Sequence, residues 1–374
     1  MVAYTNLTRP ARDGASQTSN TAPRDVRNMG IIALLAMAIA LAGPPGPATG
    51  PPDPDPSASF RAYAESLPVT PHPEAGYRFR AEVYRDLLPL LDRYPGRIAP
   101  ELLGHSVRGE PIWALHVRDP TTEPTRKLLV FAQIHALEWI TTEVAVAFIE
   151  QMARRPPPGV AITVVPVLNV DGRLKVEADL RNGDDLYRRG NSPNVDLNRD
   201  FAVNREARAV WRHLLPRRYA TSPAPLSQPE SQVLDALADR ERFDVAVSLH
   251  AWGGYFYYPW AGRWERPADR AAFEALGRVM ESGQPTRAYR THQLGRWAFF
   301  FRGHGMEIDH LYGTYGTKAF LVELTRSGRD PWRPRTWGPN FRIYNPEDPA
   351  EAVQRGRGAL RALAWHLALE PNEG

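Results

Sequence analysis

The sequence predicts an α/β fold with a ligand site at the carboxyl ends of its strands, and three observations predict it. First, the stretch Lys127–Met152, KLLVFAQIHALEWITTEVAVAFIEQM, passes from an apolar run of strand length, Leu128–Ile134, into apolar residues at helical spacing from Thr141 onward. His135 and Glu138 stand at the junction. Second, another short apolar run, Val245–Leu249, ends in His250. Third, the strand-like segment KAFLVE, 318–323, ends in Glu323. Ligands of open α/β sheets bind where loops leave the carboxyl ends of strands.

Those residue types carry a specific chemistry. A neutral imidazole and a carboxylate three residues apart can share one zinc ion, but two protein ligands are too few. His250 is the candidate third, and His-Glu-His leaves a fourth position open, the arrangement of catalytic zinc sites. Each piece alone is weak. A lone histidine at a strand end is more often a polar cap than a ligand, and His-x-x-Glu is common by chance. The combination, with both histidines at apolar strand ends, is stronger. The remaining histidines, His72, His105, His116, His213, His292, His304, His310 and His366, mostly lie in polar or helical surroundings and read as surface or supporting residues.

Length and composition bound the classes. A chain of 374 residues holds one large α/β domain or two average ones, and 43% hydrophobic residues suffice for a sizeable core. The net charge of +4 comes without any block of Lys or Arg, so no nucleic-acid partner is expected. With no cysteine there is no disulfide, thiolate metal ligand or cysteine nucleophile.

In chain order, residues 1–30 are polar with scattered arginines, and Ile31–Ala42 is a continuous apolar run ending in Ala40-Leu41-Ala42. The run is short for a membrane span and reads as the core of a signal peptide over 1–42, with an uncleaved anchor as the alternative. A secreted or periplasmic protein without stable membrane association after cleavage is expected. Residues 43–74 read as a Pro/Gly-rich linker, too short for a folded pro-domain. The catalytic domain is expected over 75–370. Residues 77–94 have apolar positions at helical spacing, with Pro89 a blemish. GHSVRGEPIWALHV, 104–117, reads as a hairpin whose second strand is Pro111–Val117. AITVVPVLNVDG, 161–172, reads as a further strand, and 173–201 as a long irregular loop containing YRRGNSPNVDLNRDF. Long loops in compact domains are usually functional. A helix over SQVLDALADRE leads into the His250 strand, the aromatic cluster from Trp252 to Trp260 reads mostly as core, residues 270–283 form a helix, and a closing helix spans about 349–369.

Taken together, these segments resemble the zinc metallocarboxypeptidases of the carboxypeptidase A type. HALEWIT resembles the family's H-x-x-E-W-I-T segment, NVDLNRDF its V-D-x-N-R-N/D-F segment, SLHAW its third-ligand strand, FLVELTRSGR its F-x-x-E-L-R-x-x-G-R segment, and GHSVRGEPIWAL its early hairpin. The resemblance implies a mixed, mainly eight-stranded sheet with helices on both faces. It implies one zinc per chain held by His135, Glu138 and His250, with Glu323 as general base. Arg188 matches the arginine that stabilises the oxyanion, although its neighbour Arg189 is open to the same role. Asn198 and Arg199 match the pair that grips the substrate's terminal carboxylate. The implied partners are peptide or protein C-termini, and a monomer is expected.

The chemistry is consistent with these roles. Zinc lowers the pKa of a bound water towards ~7. A nearby carboxylate can take that proton and return it to the leaving amine. Arginine stays charged beside a developing oxyanion, and its planar fork fits a terminal carboxylate.

Departures from the family pattern bear on specificity. Leu137 stands where the family often has arginine. Phe301 falls where it usually has a mobile tyrosine. Ile308 falls at the base of the specificity pocket, which suggests apolar terminal residues, while Glu307 and Arg296 lie close enough to change that preference. Two other functions share the pattern: a peptidase for peptidoglycan stem peptides, for which no wall-binding repeat is visible, and a non-catalytic binding module, for which a lost ligand or base would be the signature.

Overall fold

Eight strands form one mixed sheet in the computed structural model, which describes residues 55–370 apart from residues 75, 207–220, 286–288, 298–301 and 328–330. The strands are β1 (Ile98–His105), β2 (Pro111–Val117), β3 (Arg126–Ala132), β4 (Val160–Val165), β5 (Val245–Ala251), β6 (Tyr255–Tyr258), β7 (Arg290–Gln293) and β8 (Lys318–Leu324). Their order across the sheet is β1-β2-β4-β3-β5-β8-β6-β7. The centre is parallel: β4, β3, β5 and β8 run the same way, while β1–β2, β2–β4 and β6–β8 are antiparallel. Every residue of β5 is buried, as expected for a strand with parallel neighbours on both sides and helices above and below. That is why its sequence is a continuous apolar run rather than an alternating one.

The main helices are α1 (Pro56–Ser66), α2 (Arg80–Arg93), α3 (Ile140–Arg154), α4 (Val170–Asn182), α5 (Pro229–Glu241), α6 (Arg270–Ser282), α7 (Glu307–Tyr315) and α8 (Ala350–Leu367). They cover both faces of the sheet. On one, a Cβ at Gly356 of α8 would meet Val144 of α3 at 2.8 Å and Leu324 of β8 at 2.9 Å, so α8 lies directly on both. Phe273 of α6 joins that layer, edge-on to Phe320 of β8 at 5.4 Å. Strand alternation turns Glu323 to the opposite face from Leu324. There α7 begins, with Glu307 reaching His250. The two catalytic candidates at the ends of β5 and β8, His250 and Glu323, are register partners on this second face.

Two expectations need correction. The linker expected over 43–74 contains α1, which starts at Pro56 behind an Asp55 side chain that accepts from Ala58 N at 2.9 Å. Phe60 and Ala64 are fully buried, and Phe60 packs edge-on against Tyr84 and Trp113. The irregular loop expected over 173–201 begins as α4, capped by the Asn169 side chain and ended by Gly183 at φ 75°. Its buried face includes Asp171, Arg173, Glu177 and Asp179. Arg173 bonds Glu177 at 3.1 Å and lies 4.2 Å from the Trp139 ring centre. A helix that buries paired charges has no apolar period to read.

Candidate active site

His135 and Glu138 stand in a turn that other parts of the chain hold rigid. Gln133, at φ 55°, turns the backbone out of β3, and its N–H donates to Thr141 Oγ1 at 3.0 Å. Asn169 donates to Ile134 O, and Ala136 N donates to Arg189 O. Asn345 accepts from Ile140 N at 2.9 Å and donates to Leu137 O at 2.7 Å, clamping the turn at both ends. The side chains of His135, Glu138 and His250 are all buried, and their ligand atoms lie within 4.8 Å of one another.

The donor set fits a metal ion. His135 Nδ1 and His250 Nδ1 face each other at 3.2 Å, His135 Nδ1 is 2.8 Å from Glu138 Oε1, and His250 Nδ1 is 3.2 Å from Glu138 Oε2. Two imidazole nitrogens that close cannot both carry protons. A tetrahedral zinc with nitrogen bonds of about 2.0–2.1 Å separates its nitrogens by roughly 3.3 Å. The electrostatics agree. Burial raises the Glu138 carboxyl, but the charges and hydrogen bonds of His135 and His250 outweigh it and hold it down to about 2. Burial works against a charged His250, yet Glu138 and Glu307 raise it to about 10. Without a metal, a proton on His250 therefore offsets the Glu138 carboxylate.

Arg189 rather than Arg188 lies beside the His135–Glu138–His250 cluster. The bond from Ala136 N fixes the Arg189 backbone against the ligand turn. Its Nε donates to Asp196 at 2.7 Å and its Nη1 approaches Glu138 at 3.8 Å. Arg188 turns the other way and pairs with Asp179 of α4, at 2.7 Å and 3.1 Å. Asp196, which sequence reasoning passed over, also reaches His135 Nε2 at 3.2 Å. Burial raises its carboxyl, but Arg189 and His135 overcome that and hold it well below the usual range.

Glu323 ends β8 beside this cluster. Gly253 makes room for it: a Cβ there would lie 3.0 Å from Glu323 Cβ. The Glu323 Oε2 is enclosed and has no hydrogen-bond partner among the described residues, and no ion pair with Arg326 forms there. Burial and the charge of Glu138 push its carboxyl up to about 8.

The other candidates divide. Asn198 and Arg199 lie in a short turn capped by Asp196, whose Oδ1 accepts from Asn198 N at 3.0 Å. Arg199 lines a cleft of about 870 Å³ together with Arg189, Asp196, Tyr187, Trp252 and Tyr344. Ile308 is wholly buried in the first turn of α7 and presents no surface to a ligand. Glu307 is turned to His250, and Arg296 stacks on Trp264, 4.4 Å from its ring centre. Phe301 lies outside the described residues. His310 is buried against Asp235 rather than on the surface. Asp196 is the acidic residue of the NVDLNRDF segment, to which sequence reasoning gave no role, while Asn345 and Glu307 carry no motif signal of their own.

A mixed eight-stranded sheet with a His-Glu-His cluster at the carboxyl ends of its central strands defines the class of metallocarboxypeptidases. The chain belongs to the zinc carboxypeptidase family, whose model matches residues 83–343. It is 22% identical over 313 residues to human carboxypeptidase O, covering 78% of this chain and 80% of that protein. The match to bovine carboxypeptidase O spans 65% of that protein. It is 33% identical over 289 residues to the inactive metallocarboxypeptidase ECM14 of Saccharomyces cerevisiae, covering 68% of this chain and 66% of that protein. Among solved structures it resembles bovine thrombin-activatable fibrinolysis inhibitor, solved with a tick carboxypeptidase inhibitor. The TM-score is 0.63 at 20% identity, over 78% of this chain and 97% of that one.

Proposed function

We propose that the protein is a zinc-dependent carboxypeptidase that removes the terminal residue of peptides or proteins, with one zinc per chain. The observation that carries this reading is Glu323: a carboxyl whose Oε2 is enclosed and has no hydrogen-bond partner among the described residues, in register with a candidate metal ligand across adjacent strands. A purely structural position at the end of a buried strand would favour an apolar side chain. An inactive relative shows that the family fold does not guarantee turnover, so the reading rests on this residue and on the intact trio.

His135, Glu138 and His250 would hold the zinc. Bound there, zinc supplies Lewis acidity and a positive charge that offsets Glu138 and favours ionised Glu323. Glu323 takes the proton of the attacking water and returns it to the leaving nitrogen. Arg189 replaces Arg188 in the oxyanion role, its guanidinium aimed by Asp196 beside Glu138. Arg199, with Asn198, binds the free carboxylate, which confines cleavage to the chain end. Tyr187, Trp252 and Tyr344 on the cleft wall offer apolar surface to the substrate residues next to the bond. Action outside the cytoplasm and as a monomer belongs to the same proposal. Among the described residues, no helix is long and apolar enough to cross a membrane.

The test is digestion of a mixed peptide library, with and without a chelator, read by mass spectrometry. Loss of single C-terminal residues that chelation abolishes is the expected result. Internal cleavage, or full activity in metal-stripped protein, would overturn the proposal.

A further inference from the structure

We propose that Glu307 is a positioning residue for the metal site, which sets the tautomer and the basicity of His250 and so raises the affinity for a divalent cation. The proposal rests on the reading of His135, Glu138 and His250 as metal ligands. Glu307 is the first residue of α7 and is fully buried. Its Oε1 lies 3.0 Å from His250 Nε2, on the far side of the ring from the Nδ1 that faces His135 and Glu138. Ser248 Oγ lies 2.9 Å from the same Nε2. The Glu307 Oε2 has no hydrogen-bond partner among the described residues. Its backbone N–H donates to Asn198 Oδ1 at 3.2 Å, which fixes the start of the helix.

An ionised carboxylate only accepts hydrogen bonds, so it takes the proton of Nε2. The lone pair is then left on Nδ1, the atom that converges with the other two ligands. A carboxylate behind a ligating imidazole also makes it a stronger base. His135 has such a partner in Asp196, but the charge of Asp196 is shared with Arg189. Among the described residues, the ion pair of Glu307 is with His250 alone. Among the described residues, no arginine pairs with it to offset its negative charge. Without a metal, Glu307 instead faces a protonated His250, so the same carboxylate serves either cation. Helix packing alone gives no reason to keep it.

The experiment compares the parent with Glu307→Gln and Glu307→Ala. Zinc affinity is measured by competition with a chromogenic chelator at neutral pH, and melting is recorded metal-free and zinc-loaded. The expected result is a roughly 10-fold loss of affinity in the Gln variant and a larger one, up to about 100-fold, in the Ala variant. The metal-free Gln variant loses the partner of a protonated His250 and should melt below the parent, and the rise on adding zinc should shrink. Unchanged zinc affinity in the Gln variant overturns the proposal. So does a lower metal-free melting temperature with an undiminished rise on adding zinc, the signature of a packing role. A parent that binds no zinc overturns the metal reading itself, a distinct outcome. A measurement independent of variants is the nitrogen-15 histidine spectrum of the zinc-loaded parent. A protonated His250 Nε2 with its proton shifted far downfield supports the carboxylate bond, and an unprotonated Nε2 overturns it.

Discussion

Asp196 and Arg189 form a bidirectional brace: one carboxylate oxygen holds Arg189 Nε at 2.7 Å while the other touches His135 Nε2 at 3.2 Å. Arg189, which approaches Glu138 at 3.8 Å, is therefore aimed by the same residue that orients a candidate ligand.

Arg189→Ala should lower kcat/KM by about 10²–10³, the usual loss for one oxyanion donor. Arg188→Ala should leave it within a few-fold and cost no more than about 1 kcal/mol of stability, because the Asp179 pair is partly exposed. Steady-state kinetics on both variants checks this, and the reverse pattern would restore the role to Arg188.

Glu323→Gln should reduce kcat by at least about 10³ with zinc content unchanged. Its melting temperature should not fall, since the enclosed Oε2 has no hydrogen-bond partner among the described residues to lose. A melt, a zinc assay and kcat on one preparation decide it. Retained turnover would take Glu323 out of the chemistry.

Glu230 predicts a pH dependence of stability. It is fully buried at the start of α5, and burial raises its carboxyl from 4.5 to about 7 despite hydrogen bonds such as the one from Asn191. A carboxyl raised in the folded state binds more protons folded than unfolded, so its stabilising contribution is complete below about 4.5 and is lost as pH rises through about 7. The loss is of order 3 kcal/mol at most. Glu230→Gln should flatten that part of the stability curve in denaturant titrations across this window. An unchanged slope would show that Glu230 is not its source.

Phe60→Ala should destabilise the protein by about 3–5 kcal/mol, as for other fully buried aromatics. Chemical denaturation measures it. A loss below about 1 kcal/mol would mean that α1 contributes little to the core.

What could be read from the sequence depended on how each residue is buried. Strands with parallel neighbours on both sides must be apolar throughout, so β3 and β5 stand out, as does the largely buried β8 beside β5, and the ionisable residues at or just past their ends stand out against them. α4 was lost because its buried face is polar, and α1 because prolines and glycines just before it suggested only a linker. The choice between Arg188 and Arg189 could not be made from adjacent identical side chains. A backbone bond from Ala136 sets Arg189 beside the His135–Glu138 turn, a contact that adjacent identical side chains do not reveal. Glu307 gave no clear signal because its partner, His250, is distant in sequence and adjacent only through the fold of α7 onto β5.

The clamp of Asn345 on the ends of the His135–Glu138 turn gives assembly a direction in time. The turn is made early in synthesis, but its two fastening bonds come from a residue more than 200 positions later. β8, which brings Glu323, also arrives after most of the chain, and it inserts between β5 and β6. Contacts of such separation form late in folding. A nascent chain that has exposed both histidines thus still lacks Glu323 and the Asn345 clamp, so the candidate site is complete only after residue 345 has been made.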